Sequence, residues 1–308
     1  MTLLSHAQDR DHEFMTKHIT VGYDGSLASA AAVQWAADQA QSRGASLRIM
    51  TYFGRPVASA ELMAYGYGYG EVLSSVEDAA REQLQAVADN TIASHPGLPV
   101  TAALTTLPIT VALVEGLQAD DLVVVGASRH LRAAAFWLGS TPRMLVRHSP
   151  CPVAIVRGPA TSGRPERVVV GVDGSVGALR ALEWAGDEAD RQQAELVIVH
   201  GWTYPYIALD TSSAQARDLT RVDAACTLDR AIEHAAERFA TAATPCLVEA
   251  SATSALLSTV RDGDLLVLGS RGRGTLSSSI FGSTVNAVLE QAAIPVVVVH
   301  SDQEQTDE

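Results

Sequence analysis

The chain has 308 residues, 47% of them hydrophobic and 19% charged, with a net charge of −13; this suits about two globular domains and argues against a nucleic-acid backbone or an anionic membrane as main partner, since both need clustered cations. Lys17 is the single lysine, which excludes P-loop and Schiff-base lysine chemistry from the folded domains. Three widely spaced cysteines, Cys151, Cys226 and Cys246, form no C-x-x-C pair, and no run of about 18 apolar residues suggests a membrane span, so reduced, buried thiols in a cytoplasmic protein are expected.

Residues 1–16 are polar and lack the layout of a signal peptide; with 301–308 they read as tails. The first strand and its turn carry Val21-Gly22-Tyr23-Asp24-Gly25-Ser26, and this block returns 149 residues later as Val170-Gly171-Val172-Asp173-Gly174-Ser175. Trp35 and Leu47 return as Trp184 and Leu196 at the same spacing. Asp121-Leu122-Val123-Val124-Val125-Gly126 matches Asp264-Leu265-Leu266-Val267-Leu268-Gly269, and Gly139-Ser140-Thr141 matches Gly282-Ser283-Thr284, both 143 residues apart. The first copy therefore carries six extra residues, placed near Tyr65-Gly66-Tyr67-Gly68-Tyr69-Gly70. That run reads either as a loop able to fold over a ligand or as an exposed connection without special role. A repeat of this length is a whole domain, not a solenoid unit of about 20–50 residues. The domains are set at 17–157 and 166–300. Between them, 158–165 is a linker broken by Gly158-Pro159 and Ser162-Gly163.

In the second copy Arg167–Val172 is a β-branched strand ending in a turn. Ser175 opens a helix with Leu179, Leu182, Ala185 and Gly186 on one face. Leu196–His200 is an apolar strand. Asp218–Ala242 is a long helix striped by Leu228, Ile232, Ala235 and Phe239. Cys246–Glu249 is a short strand, Ser254–Arg261 a helix, Asp264–Gly269 an apolar strand, Gly282–Gln291 a helix and Val296–His300 the last strand. Strands apolar throughout, separated by amphipathic helices, predict an α/β fold: two repeated doubly wound, Rossmann-like domains, each a five-stranded parallel sheet with helices on both faces. Ligands of such sheets sit outside the carboxyl ends of the strands, which directs attention to Asp24, Asp173, Gly126 and Gly269.

The second copy reads Gly269-Ser270-Arg271-Gly272-Arg273-Gly274 and, after nine residues following Gly272, Gly282-Ser283-Thr284. The pattern G-x2-G-x9-G-S-T starts at a strand end and finishes at a helix start. Glycines let the backbone approach a ligand, successive free N–H groups make an anion cradle, and a helix N-terminus favours phosphate. Arg271 and Arg273 supply screening charge. A structural glycine turn is the plainer alternative. Asp173 and Asp24 either accept from a ribose or base, or hold Mg2+ through water, or serve as Asx turns capping the next helix.

Together these motifs, V-G-[YV]-D-G-S twice and G-x2-G-x9-G-S-T once, resemble the universal stress protein family in its tandem two-domain form, over Ile19 to His300. The resemblance implies an adenine nucleotide, ATP with or without Mg2+, as ligand. It places Gly269, Gly272, Gly282, Ser283 and Thr284 around phosphates and Asp173 near the nucleoside, with His200 and Gly201 bordering the adenine. No second histidine stands near His200 in sequence, against a metal or catalytic role for it. In the first copy Gly126, Gly139, Ser140, Thr141 and Asp24 match, but Arg129 replaces the second glycine, so that site is either degenerate or altered. If that glycine needs positive φ, an arginine there costs about 1–2 kcal/mol; alternatively the Arg129 side chain supplies a positive charge to phosphate. The apolar strands Cys151–Arg157 and Ile294–His300 suggest pairing: by resemblance the halves form an intramolecular pseudo-dimer with Val153–Val156 facing Val296–Val299, and a homodimer of whole chains is a further option. The expected function is a nucleotide-tuned regulator of stress response or growth. Alternatives are a slow ATP hydrolase, for which no convincing base is present, a nucleotide-free interaction module, and a flavin or electron-transfer relative of the same architecture.

Overall fold

A computed structural model describes residues 16–54, 69–127, 139–157, 164–204, 213–272 and 282–300. The first half runs β1 (His18–Gly22), α1 (Leu27–Arg43), β2 (Ser46–Tyr52), α2 (Tyr69–Ser94), β3 (Val100–Thr105), α3 (Ile109–Val114), β4 (Leu122–Gly126), α4 (Ser140–His148) and β5 (Val153–Val156). The second repeats it as β6 (Arg167–Gly171), α5 (Val176–Gln192), β7 (Glu195–Trp202), α6 (Ser213–Arg238), β8 (Ala243–Glu249), α7 (Ala252–Thr259), β9 (Leu265–Gly269), α8 (Ser283–Gln291) and β10 (Val296–Val299).

Each half is a five-stranded parallel sheet, ordered β3-β2-β1-β4-β5 and β8-β7-β6-β9-β10. β5 and β10 pair antiparallel, with Val296 opposite Ile155 and Val298 opposite Val153, so the two sheets run on as one of ten strands. The β-branched runs explain the central strands: β4, β5, β9 and β10 are almost wholly buried, as parallel strands covered by helices on both faces require. Edge strand β8 begins at Ala243 and includes Pro245, earlier than the sequence reading of Cys246. A proline is tolerated at an edge, where its missing N–H breaks no ladder.

The helices pack through small residues. Trp184, Leu182 and Ala185 of α5 are buried, whereas Leu179, predicted on the same face, is 41% exposed. The buried arc instead takes in Gly177, Ala178 and Ala181 together with Leu182 and Ala185, which leaves Leu179 at its edge. A Cβ on Gly186 would collide with the Phe239 ring. In α6, Leu228 and Ala235 are buried, as is Phe239 just beyond its end, and Ile232 packs against them. That helix ends at Arg238, short of Ala242, and the Asp190 carboxylate accepts from the N–H groups of Ala240 and Thr241 beyond it.

The halves also meet through α1 and α5. Glu188 is fully buried and ion-paired with both Arg43 and Arg191, and Arg43 lies 4.9 Å over the Trp184 ring. Gln192 donates to Ser42 at 3.1 Å and to Glu188 at 3.0 Å. Burial alone would raise the Glu188 carboxyl, but Arg43, Arg191 and bonds from Gln192 and Gln39 outweigh it and hold its pKa below the ordinary value. At the sheet joint, Arg157 donates to the Ala292 carbonyl at 3.1 Å, and His300 Nε2 donates to the Val146 carbonyl at 2.6 Å.

Candidate nucleotide site and its first-half counterpart

In each half the first strand ends in Asp-Gly-Ser, and the structure shows why. Asp173 Oδ1 accepts the Ser175 N–H at 2.9 Å, Gly174 takes φ 77°, and Ser175 Oγ accepts the Ala178 N–H at 3.2 Å to cap α5. Asp24, Gly25 and Ser26 do the same ahead of α1, with bonds of 3.0 and 3.1 Å and φ 81°. The glycine is needed because the Asx turn throws it into the left-handed region. The turn occupies one carboxylate oxygen, yet both aspartates still line a cavity. Burial pushes the Asp24 carboxyl up, but hydrogen bonds from Ser26 and Ser29 more than offset it, and its pKa lies below the usual value.

The second-half cavity, of about 280 Å³, lies at the carboxyl ends of β6, β7 and β9. It brings together Asp173, Gly201, Gly269, Arg271, Gly272, Gly282, Ser283 and Thr284, with Val199 and Leu256 as apolar wall. The loop after β9 is pinned at its start: Ser270 donates to the Val299 carbonyl at 2.8 Å, and its own carbonyl accepts from Gly282 at 3.3 Å. α8 then begins at the cavity wall. Its N-cap, Gly282, is extended (φ −62°, ψ 141°) and makes no side-chain capping bond. The first-turn N–H groups, which no helix satisfies internally, and the positive dipole end thus face the crevice.

The glycines have particular tasks. A Cβ on Gly269 would strike the Gly177 carbonyl, and one on Gly126 the Ala28 carbonyl. Both are required by the close approach of the next helix, whatever the ligand. Gly272 is not at positive φ, so the dihedral cost considered for an arginine in the equivalent place does not apply. A Cβ there would collide with Asp173 Oδ2, and the constraint is contact with the carboxylate.

Of the two β7 residues set beside the nucleoside, only Gly201 borders the cavity. Strand alternation turns His200 away from Val199 and Gly201, and its Nδ1 lies 2.6 Å from the Val172 carbonyl, tying β7 to the end of β6. Thr51 does the same in the first half, donating to the Tyr23 carbonyl at 2.9 Å. Arg129, Arg273 and the run Tyr65–Gly68 lie outside the described residues.

The first-half cavity is larger, about 490 Å³. Asp24, Gly126, Gly139, Ser140 and Thr141 line it, in the places of their second-half equivalents. Sequence reasoning missed its most distinctive walls, Tyr23, Tyr52 and Pro142. The repeat itself carries the signal: Tyr52 stands where the second half has Gly201, and Pro142 where it has Val285. A Cβ on Gly201 would lie 2.9 Å from Ala255 Cβ and 3.0 Å from Ala252 Cα, so glycine lets α7 close against β7, and tyrosine keeps the first half open.

Among the described residues no group of three or more His, Cys, Asp or Glu side chains could hold a metal ion, and no helix is long and apolar enough to cross a membrane.

Two stretches, residues 15–157 and 165–300, match the profile of the Universal stress protein family. A universal stress protein of Mycobacterium tuberculosis is 31% identical over 291 residues, covering 91% of this chain and 96% of that protein. One from Mycolicibacterium smegmatis is 30% identical with the same coverage. Among solved structures, a universal stress protein from Archaeoglobus fulgidus superposes with a TM-score of 0.64 at 20% identity, over 92% of this chain and 98% of that one. The duplicated sequence, the repeated parallel sheets and these matches agree: the chain belongs to the universal stress protein family and carries two of its domains in tandem.

Proposed function

We propose that the second half binds an adenine nucleotide, ATP with or without Mg2+, and that the protein acts as a nucleotide-tuned regulator. Family membership supports the stress-response role. The observation that carries the ligand is the meeting, in one crevice, of an uncapped helix N-terminus at Gly282, the 269–272 loop with Arg271, and Asp173. The first two supply N–H donors and a cation for phosphates. Asp173 supplies an acceptor for ribose hydroxyls, or a carboxylate for water-held Mg2+. Regulation is favoured over hydrolysis by the lining: Asp173 is the only carboxylate among the described lining residues, and its Oδ1 is already bonded to the Ser175 N–H. Turnover needs a group that positions the attacking water as well.

The test has two parts. Nucleotide released from purified, denatured protein is identified, and ATP is titrated by calorimetry into wild type and Gly272→Glu. The variant places bulk and negative charge against Asp173 and the phosphate crevice, so second-site binding is expected to vanish while circular dichroism is unchanged. Full affinity in Gly272→Glu, or no binding by wild type at millimolar ATP, rejects the assignment. Multiple turnovers of phosphate release would move the reading to a hydrolase.

A further inference from the structure

β10 leaves the sheet beside the phosphate crevice of the second half. Val299 pairs with Gly269, and the Ser270 N–H donates to the Val299 carbonyl at 2.8 Å, so His300 and Arg271 run on side by side. Arg271 lines the crevice, and its charge acts on His300. On its other side His300 reaches the first half, where its Nε2 donates to the Val146 carbonyl at 2.6 Å in the last turn of α4. That helix starts at Ser140, in the wall of the first-half cavity. One imidazole therefore connects the second-half loop to a helix of the opposite half.

Because Nε2 already donates, an added proton goes to Nδ1, which is buried. Burial is the main force holding the His300 pKa below the usual value. The Val146 and Cys151 backbones oppose it, and the Arg271 cation adds to it. The Cys151 thiol, pushed up to about 12 by burial, stays neutral, and Arg147 and His148 of α4 are exposed. Arg271 is the influence that a polyanion in the crevice neutralises.

The repeat supplies a contrast. Position 300 corresponds to Arg157, which is buried and donates to the Ala292 carbonyl at 3.1 Å across the same joint. A guanidinium keeps its charge throughout the working range. The tie made from the first half is thus permanently charged, and the one made from the second half is titratable.

We propose that His300 couples the second-half site to the joint between the halves: as phosphate neutralises Arg271, the imidazole takes up a solvent proton and its bond to the Val146 carbonyl becomes charge-assisted. A charge-assisted bond is about twice as strong as a neutral one, so ligand entry tightens the tie to α4. The inference rests on reading the second half as the phosphate site. His300 titrates below the usual value in the free protein and higher with ligand. Protons are therefore taken up on binding, and affinity rises as pH falls through the ligand-bound titration point.

ATP is titrated by calorimetry into wild type and His300→Gln at about pH 8 and about pH 6, on either side of the histidine range, each in two buffers of different ionisation heat. Glutamine keeps a donor for the Val146 carbonyl but takes no proton, so the neutral tie survives. Between the two pH values the wild type is expected to gain about 5-fold more affinity than the variant, the lower end of the usual coupling between sites, with greater proton uptake. The histidine ring resonance missing from His300→Gln should titrate at higher pH with ATP than without. In ligand-free Arg271→Gln its titration should also move up. At the lower pH, ATP should slow amide exchange in α4 of the wild type and not of the variant. Equal pH dependence and proton uptake in the two proteins overturns the inference. So does a His300 resonance that neither ATP nor Arg271→Gln moves, or α4 exchange that ATP leaves unchanged. No ATP binding by wild type at either pH rejects the proposed function and this inference with it, whereas binding without the proton linkage rejects the inference alone.

Discussion

Glu188→Gln is the substitution that most directly probes how the halves are held together. The Glu188 side chain is 0% exposed and that of Arg43 2%, while Arg191 is 17% exposed. Removing one member of a buried pair leaves an uncompensated charge and costs about 3–5 kcal/mol. Arg191 can turn to water, so the burden falls on Arg43. That residue keeps the Trp184 ring at 4.9 Å and a bond to Thr16 at 3.0 Å, and a desolvated cation–π contact is worth about 1–2 kcal/mol. The expected destabilisation is therefore near the lower end, about 3 kcal/mol, a large share of the roughly 5–15 kcal/mol that stabilises a typical protein. Urea unfolding followed by tryptophan fluorescence and circular dichroism measures it. The midpoint should fall by about 1 M or more with the slope unchanged. The double variant Arg43→Met/Glu188→Met should recover most of the loss, because well-packed apolar side chains replace a buried pair at little cost. A Glu188→Gln protein within about 0.5 kcal/mol of wild type would refute the argument.

The same carboxylate, together with Asp24, sets an acid limit. Both have folded pKa values below their ordinary 4.5 and 3.8, so their contribution is complete above those values and is lost as pH falls through the depressed ones. Stability should drop steeply below about pH 4.5, and the drop should be shallower in Arg43→Met/Glu188→Met. Burial pushes the Cys151 thiol up to about 12, while Cys226 is exposed. A thiol reagent at neutral pH should modify Cys226 rapidly and Cys151 only on unfolding, as peptide mapping of the labelled protein would show. Gln193 holds φ 54° where the first half has Gly44 at φ 63°. Gln193→Gly should stabilise by up to about 1 kcal/mol in thermal unfolding, and a loss would mean that its bond from Arg164 at 3.3 Å matters more than backbone strain. Gly186→Ala drives a methyl into the Phe239 ring and should destabilise by about 1–3 kcal/mol; Phe239→Leu in the same chain should restore most of it.

The parallel sheets were legible because β-branched runs between helical patterns leave few alternatives, and the repeat supplied the domain count. Helix ends were less legible where a distant side chain decides them, as Asp190 does beyond α6. Leu179 falls outside the buried arc because periodicity finds an apolar stripe but not where the arc turned to the sheet is centred. At the site, the Gly-Ser helix start and the aspartates could be read from spacing alone. The reason for Gly272, contact with Asp173 and not its dihedral, required knowing that the two lie together although about a hundred residues apart. Tyr52 and Pro142 were visible only by laying one half over the other.

That overlay also bears on which halves belong together. Glu188 has Gln39 as its repeat equivalent, and Arg43 has Gln192. Across the joint, position 43 meets position 188, and 192 meets 42. Two first halves joined in the same manner would set each buried Arg43 against Gln39, with no carboxylate to neutralise it. Two second halves would set each buried Glu188 against Gln192, with Arg191 of its own helix as its remaining cation. Only unlike halves set Arg43 against a carboxylate. Breaking a buried pair costs about 3–5 kcal/mol, and a pairing of two first halves forfeits it at two places, so that mismatch competes with the whole stability of an ordinary domain. The linker keeps the two halves in one chain, and the buried Arg43 charge disfavours pairing of the first half with a copy of itself.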